Sequence, residues 1–342
     1  MKYYAEPNDK GGGISPVLVL LIPILLVLGG MAALIIMILG AEDKKPEQGG
    51  SEQAVATKAA AVVESVPIDA EHFPNANFRR YLSETYDGDS DGVLDRSEIL
   101  SVKEIGFYAV DGDLYWPVDD LKGIEYFTAL EYLCCESCGL TNLDVSHNTA
   151  LIDLCCDSNL LTELDVSQNT ALRNLECSFN ELTDLDISSN TLLENLYVSG
   201  NRFESLDTSQ NTALICLYCG MGELKEVDVS QNINLEELSV FSAEVESLDL
   251  SNNPKLRRLN ISYTSISELD VTHNPLLGDL DMLGASLTAI DLSQNPELQM
   301  IVATDAMLTS LDLSNNPLVT DVYVNWSVKV TGCDFSVIHR MN

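Results

Sequence analysis

Positive charge is scarce in this chain: 18 Lys and Arg stand against 53 Asp and Glu, for a net charge of −35. So acidic a surface repels phosphate backbones and anionic headgroups. Nucleic acid and anionic lipid surfaces are therefore excluded as partners, while cations and basic protein surfaces are favoured. Aromatic residues are only 6% of the chain, so the core must be aliphatic, and leucine supplies most of it. Histidine occurs at His72, His147, His273 and His339 alone. His147 and His273 sit at the same place in a recurring motif, six units apart, too far to cooperate. With no nucleophile elbow, phosphate loop or paired-carboxylate cleft either, the sequence reads as non-enzymatic.

Charge of either sign is missing from residues 14–40, "ISPVLVLLIPILLVLGGMAALIIMILG". As a helix, Val17 to Leu39 would span roughly 35 Å, enough for a bilayer core. A cleaved signal peptide is the alternative, but its apolar region runs only about 7–15 residues, and this run continues past the "MAA" at 31–33. The expectation is a single-pass protein of the cell membrane. It has a cytoplasmic head at 1–13, a transmembrane signal anchor at 14–40, and residues 41–342 extracellular. Residues 41–68 are polar and Gly/Ala-rich without apolar periodicity, a flexible linker.

A calcium module is expected over 69–120. Its centre, "DGDSDGVLDRSE", places Asp87, Asp89 and Asp91 at positions 1, 3 and 5 of the twelve-residue EF-hand loop, and Gly92 at the sharp turn. Val93 would offer its carbonyl, Asp95 a water-mediated contact and Glu98 a bidentate carboxylate. A hard cation needs this convergence of six to eight oxygens. Phe78 and Leu82, four apart, suit an entering helix, and Ile99 with Val102 suit an exiting one. No second loop of this kind occurs, which favours a structural Ca2+ over a sensor pair.

From residue 121 to 325 the chain repeats itself. Asp144 recurs every 21 residues to Asp312, and Asn148 every 21 to Asn316, without one insertion. Leu151 and Leu154 head two further columns with the same spacing. Nine or more units of constant length mean coils that each make the same turn. The unit beginning at Leu151, L-x-x-L-x-C-x-x-N-x-L, resembles the leucine-rich repeat. Its second half, "TELDVSQNTA", carries a shorter LxLxxN, which resembles the 21-residue bacterial subclass. That resemblance implies a solenoid of parallel β coils, about nine to ten repeats, in which both halves of each coil contribute an extended segment. With the calcium loop ahead of the repeats, the chain resembles exported surface proteins of anaerobic, gut-type bacteria. The EF-hand module becomes a small helical N-terminal cap, and residues 326–342 a C-terminal cap. The Asn159 column persists only to Asn201 and then becomes Gly222, Ala243 and Thr264, so the later coils are expected to turn differently.

Period-2 alternation assigns the faces. Leu154 and Cys156 point into the core, while Cys155 and Asp157 point out. The Asp144 column is read as capping local backbone donors rather than as a cation ladder, since a single carboxylate per coil lacks calcium's convergent oxygens. Cys135, Cys156, Cys177 and Cys219 fall in the inward column as small hydrophobes. Cys134 and Cys155 face the other way; buried free thiols are the expectation for the cysteines, with Cys134–Cys155 the pair best placed for a disulfide. Four thiols cannot converge across a strand, which argues against a cysteine metal site.

Function then belongs to the outward positions that vary. Phe179, Tyr197, Tyr218, Phe241 and Tyr263 gather on neighbouring coils, with Arg173, Arg257 and Arg258 beside them. Exposed aromatics on a rigid sheet are the residue types that carry binding energy. The expected function is binding of a protein or glycan ligand on that surface. The alternative is a structural, self-associating surface element.

Overall fold

The computed structural model describes residues 63–107, 109–110, 113–114 and 118–341. The expected head, the apolar segment 14–40 and most of the linker lie outside the described residues. Among those described, no helix is long and apolar enough to cross a membrane.

Each coil begins with three residues that alternate about the backbone, as in Asp153–Cys155, where Leu154 turns inward and is 1% exposed. Ten such strands start 21 residues apart, from Tyr132–Cys134 to Asp321–Asn325. Capping strands at Glu104–Gly106 and Ile338–Met341 complete a twelve-stranded sheet. All neighbours are parallel and in register, so Leu154 faces Leu175, which faces Leu196, which faces Leu217. Each leucine meets its own kind above and below at one strand spacing. Burying each contributes roughly 1.5–3 kcal/mol, which no isolated coil would realise.

After the strand the backbone turns through a left-handed residue. Nine positions spaced by 21, Ser137, Ser158, Phe179, Gly200, Met221, Ser242, Tyr263, Gly284 and Asp305, all have positive φ between 55° and 69°. In the early coils a buried asparagine ties this turn. Asn159 accepts from the Leu140 N–H at 2.9 Å and donates to the Cys135 and Cys156 carbonyls. Asn180 and Asn201 repeat the pattern. Beyond them the left-handed turn survives with other partners: the Ala243 N–H bonds the Val240 carbonyl, and the Thr264 hydroxyl donates to the Ile261 carbonyl at 2.7 Å. The later coils thus change the fastening, and the turn itself remains.

The second half of the coil is held by two side chains. In Asp186 and its equivalents the carboxylate accepts from the N–H two residues on, here Ser188 at 2.9 Å. In Asn190, Nδ2 donates to the Val166 carbonyl at 3.0 Å and to the Asn169 carbonyl at 2.9 Å, both in the preceding coil. This pair of bonds recurs from Asn148 to Asn316 in residues that are at most 2% exposed. Because the turn spends its backbone groups locally, the second extended segment expected in every coil does not form a ladder in most of them. Among the described residues, only Ser310–Asp312 and Lys329–Thr331 pair there.

The N-terminal cap begins earlier than expected. Ser65–Pro67 (β1), read from sequence as linker, pairs antiparallel with Val93–Asp95 (β2). Between them lies the helix Ala76–Thr85 (α1), capped by the Asn75 side chain, which accepts from the Asn77 and Phe78 N–H groups. A short helix, Arg96–Ser101 (α2), follows with an Asp95/Glu98 capping box. The scarce aromatics are concentrated here. Phe73, Phe78, Phe107 and Phe127 are fully buried, with ring centroids 5.6–6.5 Å apart, and share one core with Leu130 and Leu133 of the first coil.

Replacing Asn190 with Ala removes two buried hydrogen bonds and leaves a small void, and is expected to destabilise the fold by roughly 2–3 kcal/mol. Urea denaturation of the two proteins measures it. The aspartate column makes stability pH-dependent. Hydrogen bonds from the Ser or Thr two residues on hold all nine carboxyls, Asp144 through Asp312, below the ordinary 3.8. Folded values below unfolded ones mean that the unfolded chain takes up protons first as pH falls. The stabilisation is complete above about pH 4 and is lost as pH drops through the lower folded values. A triple D186N/D207N/D228N variant is expected to lose stability less steeply below pH 4, read by circular dichroism during acid titration.

Candidate functional site

The acidic loop between α1 and β2 is ordered by its own side chains. Asp87, 7% exposed, accepts from the Asp91 N–H at 3.1 Å and from the Gly92 N–H at 3.0 Å. Gly92 has φ 83°, a conformation that suits glycine. Oxygens of Asp87, Asp89 and Asp91 lie within 4.8 Å of one another. The Ile68 N–H donates to the Gly92 carbonyl, so the alternate pair Pro67–Val93 is not hydrogen-bonded. That turns the Val93 carbonyl away from β1 and toward the loop, where its N–H donates to Asp91 Oδ1 at 2.8 Å. Glu98 bonds the Gly88 and Asp95 N–H groups at 2.7 and 2.9 Å, and Asp95 caps α2. The donor set is all oxygen and fits a hard cation. β1 supplies the short antiparallel partner that a lone loop would otherwise lack.

The sheet face pointing away from the leucine core is less open than alternation alone suggests. In-register neighbours cover the flanks of each side chain, so Cys155, Asp157, Glu176, Ser178, Ser239 and Asp281 are all buried. Tyr197 and Tyr218 are half-buried and pack edge to face at 5.0 Å, and the Tyr218 hydroxyl donates to Glu237 at 2.7 Å. Phe241 is also half-buried and meets Tyr263 edge to face at 5.7 Å. The five aromatics form no single cluster: they divide into two ring pairs, with Phe179 apart from both.

Phe179 and Tyr263 instead belong to the left-handed column at the end of the strands. Together with Met221 they are 40–43% exposed, and each is a bulky residue at positive φ. Such a residue costs roughly 1–2 kcal/mol in that conformation. The coils that follow two of them carry glycine. The Phe179 ring lies against Gly200, where a Cβ would come within 2.7 Å of it, and the Tyr263 ring lies against Gly284, at 2.8 Å. From Phe179 to Gly284 large and small residues therefore alternate along an apolar ridge; Trp326, two coils beyond Gly284 in the same column and 68% exposed, lies outside that alternation.

The three arginines expected beside the aromatics are each paired with acids of neighbouring coils. Arg173 pairs with Glu194, Arg257 with Glu236 at 3.2 Å, and Arg258 with Glu237 at 2.5 Å and Asp279 at 3.3 Å, each one coil away. Parallel stacking at one strand spacing places residues 21 apart side by side, so a basic residue finds the acid of the next coil. Arg258 touches the ring system only through Glu237, which it shares with Tyr218.

All nine cysteines are free thiols, the expected default, and the pair best placed for a disulfide, Cys134–Cys155, is not bonded. The two are direct cross-strand partners, and their interaction lowers Cys134 from the usual thiol range and raises Cys155. Cys135, Cys156 and Cys177 lie fully buried in the inward column, where desolvation pushes their thiols far up. Beside Cys155, burial pushes Asp157 up to about 8 and Glu176 up to about 7. Sequence reasoning missed this group because it weighed the cysteines only against one another.

Two kinds of comparison bear on this architecture. The Leucine Rich Repeat family profile matches residues 307–326. A leucine-rich repeat protein of Leptospira interrogans superposes with a TM-score of 0.59 at 21% identity, covering 64% of this chain and 62% of its own. The chain folds as a leucine-rich repeat solenoid. The solenoid also matches two internalins of Listeria monocytogenes. For inlF the TM-score is 0.53 at 18% identity, over 80% of this chain and 94% of that one. For internalin C2 it is 0.52 at 16% identity, over 78% and 100%. At these identities the likeness concerns the solenoid fold alone. No curated protein sequence matches the chain.

Proposed function

We propose that the solenoid is the recognition domain of a bacterial cell-surface protein, held to the membrane through residues 14–40. It binds a protein partner across the apolar ridge and the adjoining sheet face. One observation carries this reading: Phe179, Met221 and Tyr263 are large, apolar, exposed and held in a backbone conformation that disfavours them. Folding alone would favour Gly or Asn at such positions, and strain kept at an exposed surface points to a use for the side chain. The ridge stands in strongly acidic surroundings, so its partner combines apolar anchors with a basic rim. Leucine-rich repeat solenoids are generally protein-binding scaffolds, which agrees with this choice over glycan. The acidic loop holds a structural calcium ion through Asp87, Asp89, Asp91, Val93, Asp95 and Glu98, fastening the cap to the first coils.

Selection of a displayed peptide library on the full chain is expected to enrich sequences that mix apolar and basic residues. An F179G/M221G/Y263G variant is expected to weaken their binding at least tenfold. Its stability should stay within about 1 kcal/mol, since relief of left-handed strain offsets lost packing. Binding indifferent to the variant, or confined to a parallel glycan array, would sink the reading. Concentration-dependent self-association abolished by the same variant would favour a self-assembling surface element.

For the loop, saturating calcium is expected to raise the melting temperature of the chelator-treated full chain. At a hundredfold excess over the dissociation constant the gain is about 2.7 kcal/mol. A D87N/E98Q variant should melt at the same temperature with calcium or chelator. A calcium response that survives in that variant would place the ion elsewhere.

A further inference from the structure

We propose that Cys134, Cys155, Asp157 and Glu176 form a site for a thiophilic divalent cation of the zinc class, on the outer sheet face of the first coils. Register makes the site. Cys134 faces Cys155 and Cys155 faces Glu176 as direct cross-strand partners, and Asp157, two residues beyond Cys155, returns to the same face. Ligand atoms of Cys155, Asp157 and Glu176 lie within 4.8 Å of one another, and Cys134 stands directly across the strand from Cys155. Tetrahedral zinc, with bonds of about 2.0–2.3 Å, wants its donors roughly 3.3–3.8 Å apart, a small closure for these three atoms, to which Cys134 would add the fourth donor.

Burial is the second observation. Cys134 is 4% exposed, Asp157 5% and Glu176 9%. The Glu176 carboxylate turns into the cluster, with an oxygen within 4.8 Å of the Cys155 sulfur and of an Asp157 oxygen. Among the described residues, no lysine, arginine or histidine forms an ion pair with any of the four. The other charged groups that act on them, Glu136 and Asp153, are themselves acidic. Two buried carboxylates facing two thiols, without a cation, are costly unless protons or a metal compensate. A divalent ion does so with a single atom. The Ser178 N–H, donating to Asp157 Oδ1 at 2.5 Å, already orients one ligand from outside. Two sulfur donors select against calcium and magnesium, so this site and the acidic loop divide metals by softness. On binding, each coordinating thiol releases its proton to solvent and no electron moves.

The test is cobalt(II) titration of the full chain after chelator treatment, with cobalt as a coloured substitute for zinc. Thiolate-to-cobalt charge-transfer bands are expected to saturate at one thiolate-bound cobalt per chain and to vanish on adding zinc. C134S/C155S should abolish the bands. E176Q and D157N, which keep both thiols, should retain them with affinity about tenfold lower or worse. D87N/D89N/D91N, which alters only the acidic loop, should leave them unchanged. No charge-transfer band in the native chain would overturn the proposal and leave protons as the compensation. So would bands whose affinity is the same in E176Q and D157N, because the thiolates involved would then lie elsewhere.

Discussion

The Asn190 side-chain amide N–H groups reach back to two carbonyls of the coil before it, and the Asn190 backbone carbonyl accepts from Asn211 in the coil after. The chain must turn inside a leucine core, where every backbone polar group needs a partner. A short side chain with two N–H donors at a fixed distance from the strand meets that need in each coil. The same demand explains why the repeat tolerates no insertion. One extra residue would move the amide off its two carbonyls and rotate the following leucines out of their column.

Once length is fixed, other properties follow. Residues 21 apart become neighbours, so charge is balanced between coils rather than within them, as Arg258 shows with Glu237 and Asp279. Parallel stacking also explains why positions facing away from the core are half-covered: a side chain in a ladder is exposed only at its tip. At the left-handed turn a side chain leaves the ladder, and there the exposed Phe179, Met221 and Tyr263 stand.

Much of this was legible in the sequence because the 21-residue spacing specifies register directly. It assigned Leu154 and Cys156 to the core, and it identified the aspartate column as backbone caps rather than a cation ladder. The arginine pairs and the thiol–carboxylate group were written in the same spacing, since Glu194 is Arg173 plus 21 and Glu176 is Cys155 plus 21. They were missed because basic residues and cysteines were each considered with their own kind. The left-handed turn had a weaker signal: Gly200 and Gly284 share a column with Phe179 and Tyr263, yet nothing in a bulky aromatic announces positive φ. Ser65–Pro67 was not legible at all. Three residues pair with Val93–Asp95 only because the fold brings them together, and neither periodicity nor turn residues mark them.

The ridge and the core count differently. A leucine column is complete after every coil, whereas Phe179 resting on Gly200 and Tyr263 on Gly284 needs two coils, 42 residues, to close its pattern of large then small. Gain or loss of a single repeat would preserve the hydrophobic interior and throw the outer surface out of phase. It would set a large residue where the preceding ring must lie. Lengthening or shortening the solenoid between Phe179 and Gly284 while keeping the ridge in phase therefore requires an even number of repeats.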